Sequence, residues 1–198
     1  MEPSPPRIGY IGLRAKTARA IVVTIAAGAE GPNVVTRGEI VLATPASPEL
    51  FQPYHAVVDI PWERAAPAAG KAERAIAETA ARALKDLVAG LCDAGIAVSG
   101  VGVVGAPDRD LAAIASPHIR AHAAEGVLFR RVLETAATAN KLTCERYPED
   151  DLETLAASRL NLPVAAIKSR LAHFGKQMGT PWRADEKAAA IAAWLASA

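Results

Sequence analysis

Sulfur, aromatic rings and net charge are all scarce in this chain, and each scarcity closes off a class of function. Two cysteines in 198 residues, Cys92 and Cys144, stand far apart with no C-x-x-C spacing. They supply neither a disulfide framework nor a thiolate metal site, so a reducing compartment is expected. A formal charge of +1 gives no global attraction to nucleic acid or anionic lipid and leaves only local patches to do such work. No apolar run approaches the roughly 18 residues that a membrane span requires. The opening "MEPSPPRIG" has neither the basic start nor the apolar centre of a secretory signal. A cytoplasmic protein with no membrane partner is the expectation. The nucleophile elbow G-x-S-x-G is absent, and "GKQMGTPW" lacks the spacing of a phosphate-cradling P-loop. Aromatic residues make up 5% of the chain, and much of its hydrophobic half is alanine. Alanine favours helix but buries little area, so the core must rest on Val, Ile and Leu runs.

Those runs alternate in kind along the chain. "RIGYIGL" and "ARAIVVTIA" are rich in β-branched residues with Arg14–Thr17 between them as a turn, and "NVVTRGEIVLA" follows the Gly/Pro punctuation at 28–32. Three strands with short connections predict an antiparallel meander. The stretch 44–70 carries Pro45, Pro48, Pro53 and Pro61 and reads as a long loop, within which "HAVVDI" is a candidate short strand. Apolar residues at helical spacing from Ile76 to Leu91 predict a helix over 71–94, stopped by Gly95. "VSGVGVVGA" reads as a buried parallel strand. A second helix runs to about Asn140, and "KLTCERY" gives a last strand. Beyond Pro148 everything reads as helix: one starts at Asp150 with Glu153 as a capping pair, one has Pro163 in its first turn and stops at Gly175, and one closes the chain. Residues 1–6 are expected to be a disordered lead-in, 7–147 an α/β core, and 148–198 a helical portion packed on it, all in a single domain.

The histidines are the most informative polar residues. There are four, and two fall in "SPHIRAHAAEG". Ser116 and Pro117 suit the cap and first position of a helix. From there His118, His122 and Glu125 stand at i, i+4 and i+7 and share one stripe. Imidazole and carboxylate suit a borderline divalent metal such as zinc, and three ligands would leave one position open for catalysis. His55, in the long loop, is a candidate fourth ligand or general base. Three readings stand side by side: a metal site, a metal-free polar binding site, or the ordinary polar first turns of a helix.

Charge offers weaker signals. Arg14, Lys16 and Arg19 cluster at the first hairpin, as a phosphate contact or as a solvated turn. Lys168, Arg170, Lys176, Arg183 and Lys187 make the tail basic, with Trp182 available for stacking on a base. Asp185 and Glu186 dilute that patch. The alanine-rich last helix, with its Trp194, is expected to pack either on its own domain or on a second copy as a homodimer contact.

The strand and helix order, together with the closing "HFGKQMGTPWRADEKAAAIAAWLA", resembles the ribonuclease H-like superfamily, in particular the RuvC-type resolvases, over about Arg7 to Trp194. "PYHA", "HAAEG" and "PW-x-AD-x-K-x-A" resemble the wording of a group of bacterial proteins without an assigned activity. The resemblance implies an α/β fold: a mixed five-stranded sheet, three antiparallel strands and then two parallel, flanked by helices and followed by a helical C-terminal portion. It also implies two Mg²⁺ ions held by acids on the first strand, the fourth strand and a late helix. Here the chain departs. "IGYIGLRAKTA" and "VGVVGA" carry no acid; Asp108 and Asp110 come just after the fourth strand, and only Asp185 suits the late helix. A conventional two-Mg nuclease is therefore not expected. Two functions follow. One is a protein acting on nucleic acid or another phosphoester through His118, His122, Glu125 and His55, with Lys187 on a phosphate and Arg14, Lys176, Trp182, Arg183 and Asp185 as further binding residues. The other is a degenerate, non-catalytic domain that binds nucleic acid or a partner protein.

Overall fold

The structure, a computed structural model, describes residues 5–28 and 31–198, so the lead-in expected at 1–6 lies mostly outside the described residues. Three strands come first: β1 (Arg7–Lys16), β2 (Arg19–Gly28) and β3 (Gly31–Val41). A short α1 (Pro48–Phe51) and a long α2 (Trp62–Asp93) lead to β4 (Ile96–Val104). Then come α3 (Pro117–Ala139), β5 (Thr143–Tyr147), α4 (Leu152–Arg159), α5 (Val164–Met178) and α6 (Ala184–Ala196). The sheet order is β3-β2-β1-β4-β5, with the β1–β2 and β2–β3 pairs antiparallel and the β1–β4 and β4–β5 pairs parallel. This is the α/β mixed sheet that the residue pattern predicts. Among the described residues, no helix is long and apolar enough to cross a membrane.

Alternation along β1 sorts the two faces. Ile11, Leu13 and Ala15 point into a core shared with α2 and α3, which includes Ile76, Leu84, Phe129 and Leu133. Gly12 points the other way, beneath α6. A Cβ on Gly12 would lie 1.7 Å from the carbonyl oxygen of Ala189, and one on Gly102 of β4 would lie 2.3 Å from that of Ala192. The two glycines sit side by side in the β1–β4 register. They form a trough that lets the α6 backbone approach the sheet more closely than side chains would permit. Ala189 through Leu195 are all buried as a result, packed on the chain's own sheet.

Several boundaries differ from the sequence-based expectation. β1 continues through Arg14 to Lys16, because Arg14 and Ala15 have ladder partners in both neighbouring strands or one of them, and the turn shrinks to Thr17 and Ala18. "HAVVDI" forms turns instead of a strand, with no ladder partner among the described residues. α2 begins at Trp62 rather than 71 and contains Pro67. A proline near a helix start removes one hydrogen bond, and burial of Ala65 and Ala69 offsets it. α4 starts one residue late, after Asp151, whose side chain makes no capping bond. Pro163 is the residue before α5 rather than its first. Gly175 lies inside α5, where a Cβ would strike the Trp182 ring at 2.5 Å; the helix stops instead at Gly179, φ +69°.

The trough makes a prediction. Gly12→Val should destabilise the fold by about 3 kcal/mol or more, through overpacking against a backbone that has nowhere to move. Gly38→Ala, where a Cβ meets nothing within 4 Å, should be neutral within about 0.5 kcal/mol. Urea midpoints of the two variants measure the contrast.

Candidate metal centre

α3 starts where its sequence says it should. Ser116 is the N-cap, its hydroxyl accepting from the Ile119 amide, and Pro117 occupies the first turn. His118, His122 and Glu125 therefore fall on one stripe. The first two are exposed, while Glu125, a turn deeper, is only 2% exposed. The turns at 52–60 carry His55 onto the same stripe. Tyr54 anchors that passage by donating its hydroxyl to Glu73 of α2 and by stacking on Trp62 at 5.6 Å.

The three imidazoles converge. Ring centroids of His55, His118 and His122 are 4.8, 4.4 and 4.6 Å apart, each pair edge to face. One nitrogen from each ring lies within 4.8 Å of the other two. A tetrahedral zinc–imidazole set would bring those nitrogens to about 3.3 Å, a small adjustment for two exposed side chains.

Glu125 takes a different place from a ligand. Its Oε1 accepts from both the backbone N–H of His55, at 3.1 Å, and the ring Nδ1, at 2.9 Å. A carboxylate only accepts, so Nδ1 carries the proton of this bond and Nε2 is the ring atom left to face the other imidazoles. That Nε2 is buried and has no hydrogen-bond partner among the described residues, and neither has Glu125 Oε2. A buried polar atom without a partner is unfavourable by about 1–3 kcal/mol. The donor set fits a divalent cation: a carboxylate-oriented imidazole with two exposed imidazoles beside it. The imidazoles that could hold such an ion are His55, His118 and His122, and Glu125 bonds the first of them.

The other residues singled out from the sequence lie elsewhere. Arg14 projects from β1 on the α6 side of the sheet and contacts Glu149 at 2.6 Å and Asp185 at 3.4 Å. Burial opposes its charge, but the two acids outweigh burial and raise its pKa. Lys16 also pairs with Asp185, at 3.3 Å. The first strand, on which the resemblance implies an acid, thus carries a guanidinium and an ammonium, both beside Asp185. Trp182 packs against Gly175 in the second core, with its ring nitrogen buried, and is no open stacking platform. Arg183 precedes α6, its backbone N–H bonded to Glu186. Lys176 and Lys187 are exposed. Cys144 is a poor nucleophile, since burial and then Glu134 and Glu145 push its thiol up to about 11.

A cluster that sequence reading missed pins the segment leading into α3. Arg130, 1% exposed, donates to Ala106 O, to Glu134 and to Asp108. Asp108 also receives Arg131 and Arg146. Three arginines on one aspartate, two adjacent on α3 and one on β5, cannot be read from spacing.

Comparisons with known proteins bear on the fold alone. No protein-family model matches the chain, and no curated protein matches it. Among solved structures, T. thermophilus RuvC in complex with a Holliday junction substrate is similar at a TM-score of 0.53 and 7% identity, covering 96% of this chain and 92% of that one. A second Thermus thermophilus RuvC structure aligns at a TM-score of 0.45 and 12% identity, over 94% and 93% of the two chains. The fold is ribonuclease H-like.

The arginine cluster predicts an acid response. Arg146, then Arg131 and Arg130, hold Asp108 at about 2, below the ordinary 3.8. Its contribution is present in full above the ordinary value and is lost as pH falls from there toward about 2. Asp108→Asn should flatten that part of the stability–pH curve and leave the slope above pH ~5 unchanged. Thermal melts across the acid range measure it.

Proposed function

We propose that this chain is a ribonuclease H-like protein that acts on nucleic acid or another phosphoester through a divalent metal held by His55, His118 and His122. One observation carries the reading: the unpartnered, buried Nε2 of His55, aligned by Glu125, stands beside two further imidazoles. Three nitrogen ligands favour zinc or a similar borderline metal over Mg²⁺, which prefers oxygen. Such an ion, with one position open, would supply Lewis acidity to a phosphoryl oxygen and lower the pKa of a bound water. The chain's part is to orient. Glu125 fixes the tautomer and direction of His55, α3 presents His118 and His122 one turn apart, and the Asp108 cluster steadies the approach to that helix.

The similarity to a RuvC bound to a Holliday junction substrate supports nucleic acid as a candidate partner, at the level of fold only. A second reading has its own support. Arg14 and Lys16, paired with Asp185 and Glu149, occupy the sheet position where acids would hold Mg²⁺, which favours a degenerate domain that binds without cleaving. We take the whole chain as one domain in either case.

Zinc analysis separates the two. After incubation with zinc and gel filtration, the protein should retain about one equivalent, and His122→Ala less than about a tenth of that. Glu125→Gln should bind zinc about 10–100-fold more weakly while still folding. Hydrolysis of bis(p-nitrophenyl) phosphate should fall with metal occupancy. Protein that never retains zinc, yet binds DNA with salt-sensitive affinity, would instead establish the second reading.

A further inference from the structure

Next to the histidines, on the adjoining face of α3, is a pocket to which the proposed chemistry gives no role. Its volume is about 250 Å³. Val57, Ile60 and Trp62 form one wall, and Pro117, Arg120 and Ala121 form the other. The same two segments carry the histidines: Pro117 and Ala121 directly precede His118 and His122, and Tyr54, also on the wall, directly precedes His55. The pocket is smaller than the ~300–1,000 Å³ of drug-sized ligand sites, so its occupant is a small molecule.

The walls are chiefly apolar, and one cation is set among them. Arg120 donates Nε and Nη2 to the carbonyl oxygen of Ile114, at 2.8 and 2.5 Å, and its guanidinium lies 5.5 Å from the centre of the Trp62 ring. Those contacts fix its position but do not neutralise it. Among the described residues Arg120 has no ion-pair partner; Asp59, the acid on the wall, is exposed and not within ion-pair distance of it. An oriented, uncompensated guanidinium beside partly dehydrated apolar surface favours an oxyanion, because its remaining donors match a planar or tetrahedral set of oxygens. Ile60, at the mouth, is 39% exposed. No row of cations lines the pocket, as tracking a polynucleotide backbone would require.

We propose that this pocket is a binding site for a small oxyanion bearing an apolar body, with Arg120 taking the anionic group and Val57, Ile60 and Trp62 the body. The site does not depend on the metal, since Glu125 already holds His55 in place.

Isothermal titration with phenylphosphonate tests this, on protein both with zinc and after chelation. Methylphosphonate carries the charge without the body, and benzyl alcohol the body without the charge. Phenylphosphonate should bind at least about tenfold tighter than either, as expected for burying a ring and satisfying an arginine together. Arg120→Gln should remove most of that advantage. Ile60→Trp, a change at an exposed rim position, should block the pocket and abolish binding while zinc uptake stays as in the parent. The second variant guards against Arg120→Gln loosening the Ile114 segment. Equal affinity for all three probes, or phenylphosphonate binding unchanged in Ile60→Trp, would overturn the site. Either result leaves the zinc measurement untouched, so failure here and failure of the metal reading are told apart.

Discussion

A single buried carboxylate organises the polar end of this molecule. Glu125, one turn deeper in α3 than His122, accepts two bonds from His55, one from its backbone and one from its ring. The backbone bond fixes where the 52–60 turns run, and the ring bond fixes which nitrogen of His55 is free. Without it the loop would have no polar anchor on α3, and three imidazoles from two distant segments would have no reason to meet. Leaving either partner alone inside the protein would be unfavourable by about 1–3 kcal/mol, so the contact holds the loop to the helix as well as aiming the ring.

The opposite face of the sheet follows a different constraint. Gly12 and Gly102 form a trough for the α6 backbone, and α6 in turn carries Asp185 to Arg14 and Lys16. Cations stand on β1, and the acids Glu149 and Asp185 fold onto them. Polar chemistry is concentrated instead on the α2–α3 face, where the histidines and Arg120 lie on neighbouring sides of one helix. The frame and the candidate chemistry are thus physically separate, which is why likeness of fold carries so little of the functional argument.

Much of this was legible before any coordinates. Strand alternation, the glycine stop at Gly95 and the Ser116–Pro117 start of α3 are local signals, and each acts through the residue's own backbone preference. From that start the His118–His122–Glu125 stripe follows by helical geometry alone. The misreadings were also local in origin. The stretch 62–70 reads as loop and Gly175 as a stop, yet both lie inside helices, the first with Ala65 and Ala69 buried, the second against the Trp182 ring. "HAVVDI" has strand-like residues but no edge on which to pair.

The amino-acid sequence by itself determined the order of elements, the two-faced sheet and the spacing of three polar groups along one helix, because these depend on neighbours a few residues away. Only the tertiary structure decided that His55 meets His118 and His122, that Glu125 bonds His55, that Arg14 is tied to acids, and that three arginines converge on Asp108. Those facts depend on which distant segments share a surface. Loop closure over such separations is set by the packed core and leaves no periodic trace in the chain.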